Sequence, residues 1–174
     1  MKFPKLRNSR PVQGDIDVEE ERDVYLNDKP SSEPARCPVC GNIYANKQWY
    51  RSDKKDISDE SSVISYTCPG CSKVQDGYYY GELTISGRFI ADHHEEVSHL
   101  IQNKVHDVQE DNPLSKLVQV QVEGNELTLR TTNSKLAEHI GRALKRAYEG
   151  ELDINKSEYI IRVHWTRDEL PSGD

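Results

Sequence analysis

The strongest constraint on this chain comes from two short segments, "CPVCG" at 37–41 and "CPGCS" at 68–72. Between them they hold all four of its cysteines, Cys37, Cys40, Cys68 and Cys71. A C-x-x-C segment brings two thiolates to one side of a tight turn, where backbone amides help offset their charge. Pro38 and Pro69 stiffen the two turns, and Gly41 and Gly70 supply backbone that can bend sharply. Two such turns complete a tetrahedral four-sulfur site, for which zinc is the expected ion and iron the second choice. The competing readings are a disulfide pair, which needs an oxidising compartment, and a redox C-x-x-C, which occurs singly at the start of a helix after a strand. Neither copy is read here in that setting. Four thiolates leave no coordination position for a reactive water, so the ion is expected to hold structure and not to do chemistry.

The stretch between the cysteine pairs reads as the hairpin of a zinc ribbon spanning 34–77. Ile43, Tyr44 and Trp49 flank one arm, Val63, Ile64 and Tyr66 the other, and a charged tip covers 51–62. Residues 1–33 read as a flexible charged tail, basic at Lys2, Lys5, Arg7 and Arg10 and then acidic from Asp15 to Asp23. Within it "DVYLND" (23–28) reads as a short docking segment. Residues 168–174 form a second tail.

From 78 to 167 the pattern alternates between strand and helix. "YYYGELTISG" places Leu83 and Ile85 on one face of a strand. Residues 91–111 carry Val97, Leu100, Ile101, Val105 and Val108 at helical spacing, and Pro113 stops that helix. "KLVQVQVEGNELTLRTT" is two strands around a Gly124-Asn125 turn. The helix that follows is capped by Asn133 or Ser134, carries Leu136, Ile140, Ala143, Leu144 and Ala147 as its apolar stripe, and ends at Gly150. "YIIRVHW" closes the series as a strand. The order βαββαβ predicts an α+β chain with a ferredoxin-like domain, two helices on one face of a four-stranded antiparallel sheet.

The net charge of −7 argues against indiscriminate nucleic-acid binding. Locally the second helix is basic: Lys135, His139, Arg142 and Arg146 fall four, three and four apart on one stripe, with Lys145 beside them. Arg130 and Arg162 are expected on the polar face of the sheet. Together these residues suit the phosphates of a folded RNA. The outward positions of the sheet, Gln119, Gln121, Thr128, Arg130, Arg162 and His164, lack the aromatics that stack single-stranded bases. "HHEEVSH" lacks the zincin spacing, because His99 comes one residue too late after His94-Glu95. With no nucleophile elbow, phosphate loop or dinucleotide fingerprint, the chain is expected to be non-enzymatic and without a small-molecule substrate. It has no apolar run of membrane-spanning length and no signal h-region, so the expected location is cytoplasmic.

The paired cysteines, followed by "LRTTNSKLAEHIGRALKRAYEGELDI" and "YIIRVHW", resemble a set of small prokaryotic zinc-ribbon proteins grouped with the NMD-type ribosome adaptors. The resemblance runs from about Pro34 to Trp165. It implies that Cys37, Cys40, Cys68 and Cys71 carry zinc, and that the partner is the ribosome or structured ribosomal RNA, with an effect on ribosome stability or mRNA turnover. The alternative expectation is a zinc-dependent module that docks a regulatory protein.

Overall fold

A computed structural model describes residues 23–157 and 160–168. The chain is α+β, with a small four-stranded sheet and a large five-stranded one, each containing both parallel and antiparallel pairs.

The small sheet has the order β3-β2-β1-β4, from β1 (Ala35–Arg36), β2 (Ile43–Ala45), β3 (Gln48–Tyr50) and β4 (Ile64–Ser65). It departs from the single long hairpin expected between the cysteine pairs. β2 and β3 make their own tight hairpin, because Asn46 and Lys47 both adopt positive φ, 51° and 62°, as a two-residue turn between twisted strands requires. The Glu33 carboxylate accepts from both turn amides at 2.9 Å. β4 then returns to pair in parallel with β1, and a bidentate Arg36–Glu60 pair at 2.9 and 2.8 Å fastens the returning loop.

Residues 23–33, expected to belong to the flexible tail, are structured. Asp23 caps a one-turn helix, α1 (Val24–Asn27), by accepting from the Tyr25 amide at 3.0 Å. Tyr25 donates its hydroxyl to Asp76 at 2.8 Å and its ring meets Tyr78 at 5.2 Å. The rest of that tail, like residues 169–174, lies outside the described residues.

The large sheet has the order β6-β7-β5-β9-β8, from β5 (Gly81–Ser86), β6 (Leu117–Glu123), β7 (Glu126–Thr131), β8 (Glu151–Lys156) and β9 (Ile161–Thr166). Two long helices, α3 (Arg88–Asp111) and α4 (Ser134–Tyr148), complete it. One sheet face carries Leu83, Ile85, Leu127, Leu129, Val163 and Trp165, which pack with Val97 and Ile101 of α3 and Leu136, Ile140 and Leu144 of α4. Helix α4 lies close on the sheet because Gly141 has no side chain; a Cβ there would come within 2.6 Å of Val163 Cγ1.

Strand β8 was not expected. Its alternation rests on Leu152 and Ile154 alone, both only partly buried, so "ELDINK" reads as polar linker until β9 is there to pair with it. Ala147, assigned to the apolar stripe of α4, is exposed, and Tyr148 is the residue of the last turn that packs on the core, against Phe89.

Candidate metal centre and basic surface

The second cysteine pair opens a helix, which corrects the expectation that neither copy would. In α2 (Pro69–Asp76), Cys68 is the N-cap and its sulfur accepts from the Cys71 amide at 3.4 Å, with Pro69 at the first helical position. Gly77, at φ 66°, ends the helix after two turns. The first pair sits on a turn instead. Gly41, at φ 78°, donates to the Cys37 carbonyl at 2.9 Å, and the Cys37 amide donates to Asn42 O at 2.8 Å. The two motifs meet directly, since the Cys68 amide donates to Cys37 Sγ at 3.3 Å.

All four sulfurs lie within 4.8 Å of one another. A tetrahedron with metal–sulfur bonds of about 2.3 Å has edges of about 3.8 Å, and Cys40 Sγ stands 3.7 Å from Cys68 Sγ. That separation is far beyond a disulfide bond of about 2.05 Å, and all four cysteines are free thiols. The donor set therefore fits one closed four-sulfur metal site. Among the described residues no other group of histidines, cysteines and carboxylates converges in this way.

Charge explains why such a cluster favours a cation. Cys40 is pushed down to about 4, chiefly by the hydrogen bond from Cys68, with help from the positive charge of Lys116. Cys68 is driven up by that same bond and by burial. Cys71 is pushed up to about 12 by burial and by the charge on Cys40. Without metal the cage holds a thiolate at Cys40 readily and resists one at Cys68 or Cys71. A divalent ion removes that conflict by taking the place of the shared protons.

The site is built into the larger sheet and does not hang from it. The Asn42 side chain, 5% exposed, donates to Pro113 O at 2.9 Å. Leu114 packs on the cysteines, and a Cβ on Gly70 would come within 2.4 Å of the Leu114 carbonyl oxygen. Arg51 and Lys54 reach across to Glu110 of α3. Sequence reasoning missed a further junction, the buried ion pair between Lys73 and Asp23. Lys73 also donates to Thr132 O at 3.3 Å and lies over the rings of Tyr80 and Tyr25. A charged residue soon after a metal knuckle carries no signal that marks it as buried.

The basic candidates separate into two groups. Lys135, His139, Arg142, Lys145 and Arg146 are all exposed along the outer face of α4. Arg142 pairs with Glu138 at 3.2 Å, and Glu138 also meets Lys156 at 3.4 Å. Lys135, Lys145 and Arg146 form no ion pair among the described residues. Arg130 and Arg162 emerge instead on the opposite face of the sheet, where Glu82 takes them at 3.0 and 3.8 Å. Arg130 also bonds Gln119 at 3.0 Å and stacks on Tyr79 at 4.6 Å. The structure therefore does not bring all seven residues to one surface.

Fold and site together define a class: a mixed α+β chain in which, among the described residues, one cluster of four cysteines could hold a metal ion. Comparisons with protein-family models, with curated proteins and with solved structures gave no match. No helix among the described residues is long and apolar enough to cross a membrane.

Proposed function

We propose that this protein is a non-enzymatic, cytoplasmic zinc-ribbon adaptor that docks on structured RNA, with the ribosome as its target. The observation that carries this reading is the exposed ridge of Lys135, His139, Arg142, Lys145 and Arg146 along α4. With a rise of about 1.5 Å per residue it extends about 16 Å, enough to meet several successive phosphates. Zinc is the ion of choice for a closed four-sulfur site, and when bound it supplies rigidity. Cys37, Cys40, Cys68 and Cys71 would hold it, and Asn42 and Leu114 transmit that rigidity to the sheet. The large sheet corrects the four-stranded antiparallel ferredoxin-like sheet that was expected: β8 occupies one edge and β9 pairs in parallel with β5, while the basic face of α4 stays exposed. Arg130 and Arg162 have a separate role in this reading: with Glu82 they order the polar sheet face.

Backbone recognition of this kind depends steeply on salt. The four cations Lys135, Arg142, Lys145 and Arg146 imply a slope of log K against log salt of about −3 to −4. Co-sedimentation of the protein with ribosomes through sucrose gradients tests the proposal. Binding at low salt, lost at moderate salt and abolished by Arg142→Glu with Arg146→Glu, is the expected result. A protein that stays at the top of the gradient at every salt concentration overturns it.

A further inference from the structure

Independently of any RNA contact, we infer that the free edge of β6 is a self-association surface, at which a second copy of this chain pairs antiparallel and continues the sheet. Among the described residues β6 ends the large sheet. Val120 and Val122 lie opposite Leu129 and Leu127, and so on the core-bearing face, yet they are 47% and 56% exposed. Helix α4 lies mainly over β5 and β9, and the helix that meets β6 is α2. The two-residue turn at Gly124-Asn125 makes Glu123 and Glu126 the hydrogen-bonded pair that closes the hairpin. Every second residue back along β6 then directs its N–H and C=O away from β7, and those residues are Val122 and Val120. Among the described residues, a row of backbone groups without a strand partner thus coincides with the exposed apolar side chains.

Sheet edges are ordinarily guarded by charge, proline or a bulge. The opposite edge, β8, is guarded by Glu151, Asp153 and Lys156. From Leu117 to Val122 β6 has neither charge nor proline, and its one irregularity, between Leu117 and Gln119, lies at its start. What fits there is a strand of the same pattern run backwards. A two-fold axis at Gln121 sets Val120 against Val122 of the second copy, twice, and Gln119 against Glu123. It also brings the basic start of the strand, Lys116, toward the other copy's acidic turn at Glu123 and Glu126. No like charges meet across the seam. A contact of about five residues per strand is small, so the association is weak and reversible.

Sedimentation velocity of the metal-loaded full chain, from about 5 to about 200 µM, tests this. The sedimentation coefficient is expected to rise with concentration. Val120→Lys with Val122→Lys should weaken the association at least about tenfold and leave the far-ultraviolet circular dichroism unchanged. As a separate readout, Gln121→Cys sits on the axis and should form a covalent dimer in air, whereas Thr128→Cys, one strand further in, should not. A wild-type chain that is monomeric throughout the range overturns the inference. So does association that survives the lysine substitutions, or cross-linking that is equal at 121 and 128. A different protein captured by this edge, while the chain alone stays monomeric, also counts against self-pairing.

Discussion

Replacing Lys73 with methionine isolates the junction where the N-terminal segment, the cysteine helix and the large sheet meet. The Lys73 and Asp23 side chains are 8% and 3% exposed. Methionine keeps most of the packing length but leaves the Asp23 carboxylate buried with the Tyr25 amide as its donor, 3.0 Å away. Breaking a buried pair by removing one partner costs about 3–5 kcal/mol, a large share of a domain stability of about 5–15 kcal/mol. The chain has a cheaper response. Apart from the ion pair, residues 23–28 are held mainly by the exposed Tyr25–Asp76 hydrogen bond, the Tyr25–Tyr78 ring contact and a hydrogen bond between Asp28 and Tyr66, together about 2–4 kcal/mol. In Lys73→Met the segment should therefore undock locally, and the global loss is capped at what its docking contributed. Amide exchange at Tyr25 and Leu26, followed by mass spectrometry of that peptide, should accelerate at least about a hundredfold, while the melting temperature falls by only a few degrees. Asp23→Asn in the Lys73→Met background removes the stranded charge, keeps the helix cap, and should recover most of the protection. Unchanged exchange in the single variant, or no recovery in the double, refutes the reasoning.

Chelation of the metal should unfold α2 and the small sheet together, since a structural four-thiolate site contributes folding free energy of about 10 kcal/mol or more; loss of ellipticity and release of one metal ion per chain are the readouts. Gly70→Ala forces a methyl group onto the Leu114 carbonyl and should cost about 1–3 kcal/mol in denaturant titrations of the metal-loaded protein. In the metal-free, reduced protein Cys40 should be the first thiol alkylated by iodoacetamide at neutral pH, because its pKa of about 4 lies below that of free cysteine and Cys71, at about 12, stays protonated. The sign follows: Cys40 reactivity persists as pH falls toward about 4 and is lost below it, whereas metal affinity rises with pH as the remaining thiols deprotonate. Peptide mapping after a timed pulse reads the order, and Cys71 labelled first would refute it.

Much of the fold was legible because it depends on local pattern. The period-two alternation of β5, the β6–β7 pair around Gly124-Asn125, and the 3.6-residue stripe of α4 are each written within about fifteen residues. The paired C-x-x-C spacing likewise announced a four-sulfur cage without any coordinates. What local pattern does not carry is partnership. Ile64 and Ser65 give no sign that they will pair in parallel with Ala35 and Arg36. Nor does "ELDINK" show that it will close one edge of a sheet, because an edge strand needs only two half-buried apolar side chains. The basic stripe of α4 and the polar-face positions of Arg130 and Arg162 were visible in local alternation, but the register that brings both arginines to Glu82 and leaves the α4 ridge by itself was not. Composition and spacing determined that this chain would build a thiolate cage and an α+β sheet. Only the tertiary structure decided that Lys73 would be buried and that β6 would be left open, since burial and edge position depend on which distant segments come together.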